Sequence, residues 1–191
     1  MFNLEKTSHK IVTILLKNSD ADELTKARAE YGLSLLLGIL IELFFCLSIA
    51  WFLNLFLEAL LLMSFSLIFR VFAGGAHCSS YDRCLIFTIF FYIFLSYLAN
   101  YICLILPADL LYSFSLLFLV IILYISKNKS PVINKVLFID GVILLSFWLL
   151  NSKADYIFII NLGILLQSLM GTETGSNIVK AIDTTMEKIG I

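Results

Sequence analysis

The chain alternates between long apolar stretches and short polar ones, a pattern typical of a protein that crosses a membrane several times. A helix needs about 20 residues to span a hydrocarbon core of roughly 30 Å. The apolar stretch 33–69 is too long for one span, and Asn54 and Glu58 mark a break within it. The sequence therefore predicts an all-α polytopic membrane protein with about six transmembrane helices, near residues 33–53, 55–72, 84–106, 110–126, 136–150 and 156–170.

The two ends of the chain are more polar than these stretches. Residues 2–19 place apolar side chains on one face, which predicts an amphipathic helix in the bilayer interface; a loosely ordered tail is the alternative. Residues 20–30 are charged and predict a solvated helical lead-in, while 171–191 form a polar, weakly amphipathic tail. No signal peptide or internal repeat is visible, so we expect one integral membrane domain over residues 1–191.

Composition and charge agree with this membrane interpretation. The chain is 61% hydrophobic and 14% charged, against about half and a quarter in soluble domains. A net charge of −1 gives no basic surface for nucleic acid, so the lipid bilayer is the expected environment. With six spans and both ends inside, Lys153 is the only one of 13 Lys and Arg residues on the outer side. This asymmetry predicts a multi-pass protein of the cell membrane with both termini, and the tails 1–30 and 171–191, on the cytoplasmic side.

One polar segment between the second and third spans carries groups that are suited to catalysis. A cysteine thiolate is a strong nucleophile, and His77 would accept the proton of Cys84. If Ser79 or Ser80 caps the third span, Cys84 falls in the first turns of that helix, where the helix dipole favours an anion. The same segment offers oxyanion or substrate-binding candidates, which are Arg70, Gly74, Gly75, Ser79 and Ser80. The paired glycines allow exposed amides and positive φ, and Arg70 would hold a carboxylate or anchor the helix in the membrane.

Spacing alone leaves two other interpretations of this segment open. His77 and Cys84 would merely cap helices in the first. In the second, His77, Cys78 and Cys84 would bind zinc, which needs a fourth ligand, and His9 is the only other histidine. Because the segment is predicted to face the reducing cytoplasm, we expect Cys78 and Cys84 to be thiols. No cofactor is called for.

The stretch "RVFAGGAHCSSYDRC", residues 70–84, resembles the signature of the accessory gene regulator B (AgrB) family. The arginine, the Gly-Gly-x-His and a cysteine seven residues after the histidine all match, as do the length and the order of spans. The later "NLGILLQSLM" is similar to the family more weakly. Cys78 is a departure, since a small residue commonly follows the motif histidine, and it would be a bystander or a competing nucleophile. The loop "NKSPV" also differs from the family's Lys-Pro pairing.

This resemblance implies a membrane-embedded cysteine endopeptidase of quorum sensing, with Cys84 as nucleophile and His77 as base. The substrate would be an AgrD-like propeptide with an amphipathic leader and an acidic carboxyl-terminal tail. The enzyme would remove the tail, retain the peptide as an acyl-thioester and promote its cyclisation to a thiolactone or lactone. A homodimer is also implied. Walls made by Phe69, Phe72 and Phe87 would keep water from the thioester.

Polar residues within the predicted spans have functional and structural interpretations. Carboxylates inside a membrane usually face protein or water. Here they would either line a polar path or contribute to helix packing, and they are Glu42, Glu58 and Asp140. We expect three amide and hydroxyl side chains to hold helices together, namely Asn161, Gln167 and Ser168. The basic loop would contact anionic lipid or the acidic propeptide tail through Lys127, Lys129 and Lys135.

Two other classes of function compete with the peptidase. The first is a small membrane transporter or exporter of a peptide. The intramembrane carboxylates favour this function, whereas the absence of a visible internal repeat argues against it. The second is a structural membrane protein in which the polar segment only caps helices.

Overall fold

The computed structural model describes residues 4–17, 22–76, 78–127, 137, 140, 141, 145 and 154–190. These residues include seven helices, and no strand occurs among them. The helices are α1 (Leu4–Leu15), α2 (Glu23–Phe52), α3 (Phe56–Ala73), α4 (Tyr81–Ile105), α5 (Ala108–Ser126), α6 (Ala154–Met170) and α7 (Glu173–Ile189). The predicted all-α class is confirmed.

Four of these helices, α2 to α5, are long and apolar enough to cross a membrane. Helix α2 has 30 residues, which makes it about 45 Å long. The charged lead-in and the first predicted span are therefore one continuous helix. Its start is set by Asp22, whose side chain accepts a hydrogen bond from the Thr25 amide at 3.1 Å, as an N-cap residue does.

The predicted breaks between spans are confirmed at two places. Asn54 has a φ of 57°, a left-handed conformation that stops α2 and lets α3 begin at Phe56. Pro107 occupies the N-cap of α5, and Leu106 before it is extended, as a residue preceding proline tends to be. Each pair of helices is thus joined by a turn of a few residues.

The structure describes the last two predicted spans to different extents. The fifth, 136–150, lies outside the described residues apart from Leu137, Asp140, Gly141 and Leu145. The sixth corresponds to α6, which is followed by α7 after a bend of 82°. Counting this bent pair as one span gives up to five spans among the described residues, so about six is an approximate number for the whole chain. The predicted polar tail contains the regular helix α7.

The helices pack around α6, which contacts both α3 and α5. The closest approach is at Gly163, where an added Cβ would lie 2.7 Å from the backbone oxygen of Leu62. Ser66 of α3 donates a hydrogen bond to the Gly163 carbonyl at 2.8 Å. A small residue and a hydroxyl at the contact are typical of helix association in membranes, where polar groups and close packing replace the hydrophobic effect.

The expectation that three polar side chains of α6 hold helices together is correct for one of them. Gln167 donates to the Gly74 carbonyl beyond α3. Asn161 and Ser168 instead donate to carbonyls of α6 itself, at Ile157 and Leu165. These two donors find their partners within one turn of the same helix, which sequence spacing does not distinguish from a partner on another helix. Asn161 Oδ1 is buried and has no hydrogen-bond partner among the described residues.

Large apolar side chains cover the outer faces of the spans. Phe44, Phe90, Leu104 and Tyr124 are each more than 60% exposed. In water such a surface would be an association site, whereas in a bilayer it faces lipid tails. This surface and the span lengths identify a membrane protein.

Helix α1 packs against α2. Ser8 and Val12 are buried there, while Ile14 and Leu15 are exposed. His9 and Glu30 pair across the two helices at 2.8 Å. The predicted amino-terminal helix is confirmed, and one face of it lies against the protein.

Candidate active site

The segment between α3 and α4 begins at a position whose backbone conformation favours glycine. Gly74 ends α3 with a φ of 72°, a region that residues with a Cβ rarely adopt. Its amide donates to the Arg70 carbonyl at 2.8 Å, and its carbonyl accepts from Gln167 Nε2 at 3.0 Å. The positive φ expected of the glycine pair is present here. The Gly74 amide is occupied as a helix cap, which weakens its candidacy as an oxyanion donor.

Gly75 is required for a different reason, the close approach of a side chain. A Cβ at this position would lie 2.7 Å from Gln167 Nε2 and 3.6 Å from Arg70 Nε. The backbone of this segment is therefore pressed against α6 and against the end of α3. The close approach expected of the glycines is made here to side chains of the protein.

The predicted position of Cys84 at a helix start is confirmed. Ser80 is the N-cap of α4, although its side chain makes no capping hydrogen bond. The Cys84 amide donates to the Ser80 carbonyl at 3.0 Å, the first hydrogen bond of the helix. Tyr81 anchors this turn to α2 through a hydrogen bond from its hydroxyl to the Gly38 carbonyl at 2.9 Å. Cys84 thus lies in the first turn, within reach of the positive end of the helix dipole.

A cavity of about 40 Å³ opens beside Cys84, room for about three water molecules. Its polar lining includes Arg70, Cys78, Cys84 and Gln167, and its apolar lining includes Phe87. Of the three phenylalanines expected to wall the site, only Phe87 does so. The other two are placed elsewhere: Phe69 is buried against α5 and α6, and Phe72 is half exposed.

His77 lies outside the described residues, so its pairing with Cys84 stays a prediction. The residues on both sides of it, Ala76 and Cys78, line the same cavity as Cys84.

Cys78 shares the cavity with Cys84, and both residues are half-buried. Burial raises the pKa of Cys78 to about 11, and the neighbouring Cys84 and Asp183 add to the shift. Because the thiolate is the reactive form, this environment suppresses the nucleophilicity of Cys78. Of the roles that the sequence leaves open for Cys78, the bystander is favoured.

The family of the chain follows from a comparison with family models. The model for accessory gene regulator B matches residues 8–170, which includes the segment from Arg70 to Cys84. The chain belongs to the accessory gene regulator B family. It therefore has a role in the accessory gene regulator quorum-sensing system, and the family's association with propeptide processing suggests a peptidase. Searches among curated proteins and solved structures found no match.

The family match ends before α7, yet this helix contacts the site. Asp183 Oδ2 accepts a hydrogen bond from the Ser79 amide at 3.0 Å, and Asp183 Oδ1 lies 3.2 Å from Arg83 Nε. Val179 lines the cavity. Sequence reasoning missed these contacts, because an acidic residue on an amphipathic helix does not reveal which of several distant cations it meets. The Ser79 amide is occupied by Asp183, which weakens its candidacy as an oxyanion donor.

The remaining polar candidates lie at different distances from the site. Glu42 is buried on α2, and its charge interacts with that of Arg70. Asp140 is also buried, whereas Glu58 is partly exposed on α3. Lys127 is exposed at the end of α5, and Lys129 and Lys135 lie outside the described residues.

A zinc site would need four ligands that converge on one point. Within the described part of the chain, no three His, Cys, Asp or Glu side chains converge in a way that could hold a metal ion. The zinc alternative includes His77, which is not among those residues.

Proposed function

We propose that this chain is a membrane-embedded cysteine endopeptidase that cleaves the carboxyl-terminal tail from an AgrD-like propeptide. The reaction passes through an acyl-thioester on Cys84 and leads to a thiolactone or lactone. One observation carries the proposal: Cys84 lies in the first turn of α4 and lines a cavity together with Arg70 and the residues on both sides of His77. A thiol at a helix start, next to a cation, is the environment in which cysteines become reactive.

The first half of the reaction transfers the peptide to the enzyme. His77 takes the proton of Cys84, and the thiolate attacks the scissile carbonyl carbon. The carbon–nitrogen bond then breaks, and the imidazolium gives its proton to the departing amine. The tail leaves with a free amino group, and the rest of the peptide stays bound as a thioester.

The second half closes the ring. His77, neutral again once the tail has left, takes the proton of a cysteine or serine side chain within the bound peptide. That side chain attacks the thioester carbonyl and expels the Cys84 thiolate, which takes the proton from His77. Binding both parts of the peptide raises their effective concentration, and a cavity with room for only a few waters limits hydrolysis. A peptide chain needs more room than about 40 Å³, so we expect the cavity to widen around the substrate and the bound peptide to take the place of the waters.

The oxyanion that forms during attack needs donors near the thiol. Because the amides of Gly74 and Ser79 are already engaged, the Gly75 amide is the preferred candidate of the polar segment. Ser80 stays a further candidate at the N-cap of α4. Arg70 lines the cavity and would orient a carboxylate of the substrate or balance the developing charge.

The wider arrangement follows the sequence-based predictions. The active site and both termini lie on the cytoplasmic side of the cell membrane, where the propeptide is made. Lys127, Lys129 and Lys135 attract the acidic tail of the propeptide or anionic lipid. The enzyme works as a homodimer, as the family resemblance implies.

Mass spectrometry of the intact enzyme tests the proposal. The full chain in liposomes, mixed with a synthetic AgrD-like propeptide, is expected to gain the mass of the tail-less peptide less one water, because the peptide is held as a thioester. Cys84→Ala abolishes this adduct, and Cys78→Ala, the matched control in the same cavity, retains it. An adduct that persists in Cys84→Ala and disappears in Cys78→Ala would contradict the assignment of the nucleophile.

The same liposomes separate the peptidase from a transporter. Cleavage of the propeptide without any ion gradient supports an enzyme, because transport against a concentration difference needs an energy source. Movement of uncleaved propeptide across the bilayer, with no adduct at any cysteine, would favour the exporter.

A further inference from the structure

The carboxyl-terminal helix α7 reaches back to the start of α4 through Asp183, whose side chain and backbone carbonyl both contact Arg83, and through Glu187. Asp183 accepts the Ser79 amide hydrogen through Oδ2 at 3.0 Å and pairs through Oδ1 with Arg83 Nε at 3.2 Å. Arg83 Nη2 in turn donates to Ser79 Oγ at 2.9 Å. The three residues form a closed triangle across the turn that precedes Cys84.

The Arg83–Asp183 ion pair of this triangle is partly shielded from water, whereas Ser79 is exposed. The side chains of Arg83 and Asp183 are only 12% and 14% exposed. Exposed ion pairs contribute little because water and salt screen them, whereas losing one partner of a buried pair leaves an uncompensated charge. Glu187 lies 3.6 Å from Arg83 but is 69% exposed, so its contribution is smaller.

The triangle lies next to the nucleophile along the chain. Ser79 precedes the N-cap of α4, and Arg83 is the residue directly before Cys84. Val179, one helical turn before Asp183 on α7, is 3% exposed and lines the cavity of Cys84. Asp183 therefore fixes the turn that carries the thiol and also holds one apolar wall over it.

We propose that Asp183 is a positioning residue of the peptidase, which orients Cys84 and closes its cavity by clamping α7 to the start of α4. The inference rests on the proposed function and extends it to a helix that lies beyond the residues matched by the family model. Asp183 itself does not line the cavity of Cys84.

The experiment compares variants of the full chain in lipid nanodiscs. Asp183→Ala removes both contacts, whereas Asp183→Asn keeps an oxygen for the Ser79 amide and loses the ion pair. The matched control is Glu173→Gln, which neutralises an exposed carboxylate in the first turn of the same helix. Thermal unfolding of each variant reports whether the fold is retained.

The first readout needs no propeptide. Iodoacetamide is applied in short pulses, and mass spectrometry of peptides gives the labelling rate at Cys84. Release of α7 removes the wall at Val179, so we expect labelling several-fold faster in Asp183→Ala, a smaller increase in Asp183→Asn, and none in Glu173→Gln.

The second readout is turnover of a synthetic AgrD-like propeptide. We expect kcat to fall roughly 10- to 100-fold in Asp183→Ala, the loss that a misplacement of about 1 Å produces. KM stays within about twofold of the original value, because the loss is in the reacting geometry and not in binding. Asp183→Asn is intermediate.

Three results would overturn the inference. The first is unchanged labelling and unchanged kcat in Asp183→Ala. The second is a rise in KM with kcat intact, which would assign Asp183 to substrate binding. The third is a fall in kcat that only follows the loss of folded protein, with Asp183→Asn fully active. Faster labelling without cleavage by any variant, the original chain included, supports the clamp and refutes the peptidase instead.

Discussion

The two ends of α4 are held in place by different kinds of interaction. Around its carboxyl-terminal half, apolar side chains of α4 and of three other helices, α3, α5 and α6, form one buried cluster, which includes Leu95, Ala99, Leu111 and Phe158. At its amino-terminal end, where Cys84 lies, the contacts are directional. They are the hydrogen bonds and the ion pair that Gly74, Ser79 and Arg83 make with α6 and α7.

This difference explains how the molecule combines a stable fold with an adaptable site. Apolar packing is distributed over many weak contacts, so no single change removes all of it. A directional contact is lost as a whole when one partner changes. Regions that must open for substrate belong to the less redundantly held part of a protein, and here that part is the end of α4 with the nucleophile.

The largest effect is expected from a substitution that alters only the amino-terminal end of α4 with its site, and the test compares the two histidines. His77→Gln removes the proposed general base, and the rate of adduct formation should fall by about 10² to 10⁴. His9→Gln is the matched control, because His9 lies at the α1–α2 contact with its side chain 65% exposed and should act at nearly the original rate. Single-turnover mass spectrometry measures both. Near-normal adduct formation in His77→Gln would remove this histidine from the mechanism.

The second largest effect is expected from a substitution that disturbs only the apolar helix packing. In Gly163→Ala the new Cβ meets the Leu62 carbonyl oxygen at 2.7 Å and Ser66 Oγ at 3.1 Å, so α3 and α6 must separate. We expect a loss of about 1–3 kcal/mol in the free energy of unfolding, visible as earlier thermal unfolding in detergent. Gly32→Ala is the control, since nothing lies within 4 Å of its Cβ position and alanine favours a helix. Equal stability of the two variants would mean that the α3–α6 contact is looser than the structure has it.

The spans could be predicted from the sequence because hydropathy is a local property. Runs such as 84–106 and 110–126 reveal themselves by length and composition, and Asn54 and Pro107 identify their ends. The turn that carries Cys84 could also be predicted, since serine before an apolar run indicates a helix start.

The partners of that turn could not be predicted in the same way. Gln167 lies 93 residues from Gly74, and Asp183 lies 104 residues from Ser79. Sequence spacing carries no information on such contacts, because they depend on how α6 and α7 fold back over α3 and α4. For the same reason Asn161 and Gln167, both amides on one helix, could not be told apart by their roles.

These two amides provide the third effect, which tests the link between the packed core and the site. Gln167→Met leaves the Gly74 carbonyl without its donor and loosens the polar segment, so we expect about a tenfold lower kcat. Stability falls by about 1 kcal/mol, the net contribution of one hydrogen bond. Asn161→Leu, at a fully buried position on the same helix, should leave kcat unchanged. Propeptide turnover and thermal unfolding measure both variants, and equal turnover in the two would show that the Gln167 contact does not support the site.

The smallest effect is expected from a substitution that tests the difference between the two cysteines of the site. Cys78→Ser should change the rate of adduct formation by less than about twofold, because a thiol that stays protonated does not compete as a nucleophile. With the pKa of Cys78 at about 11, about one molecule in a thousand carries its thiolate at pH 8. Labelling of Cys78 by iodoacetamide should therefore rise about tenfold per pH unit and level off only near pH 11. Rapid labelling at pH 8 would mean that the thiol is not buried as described, and Cys78 would then rival Cys84. Both sulfurs would then be equally exposed to substrate, and the proposed difference between the two ends of α4 would not hold.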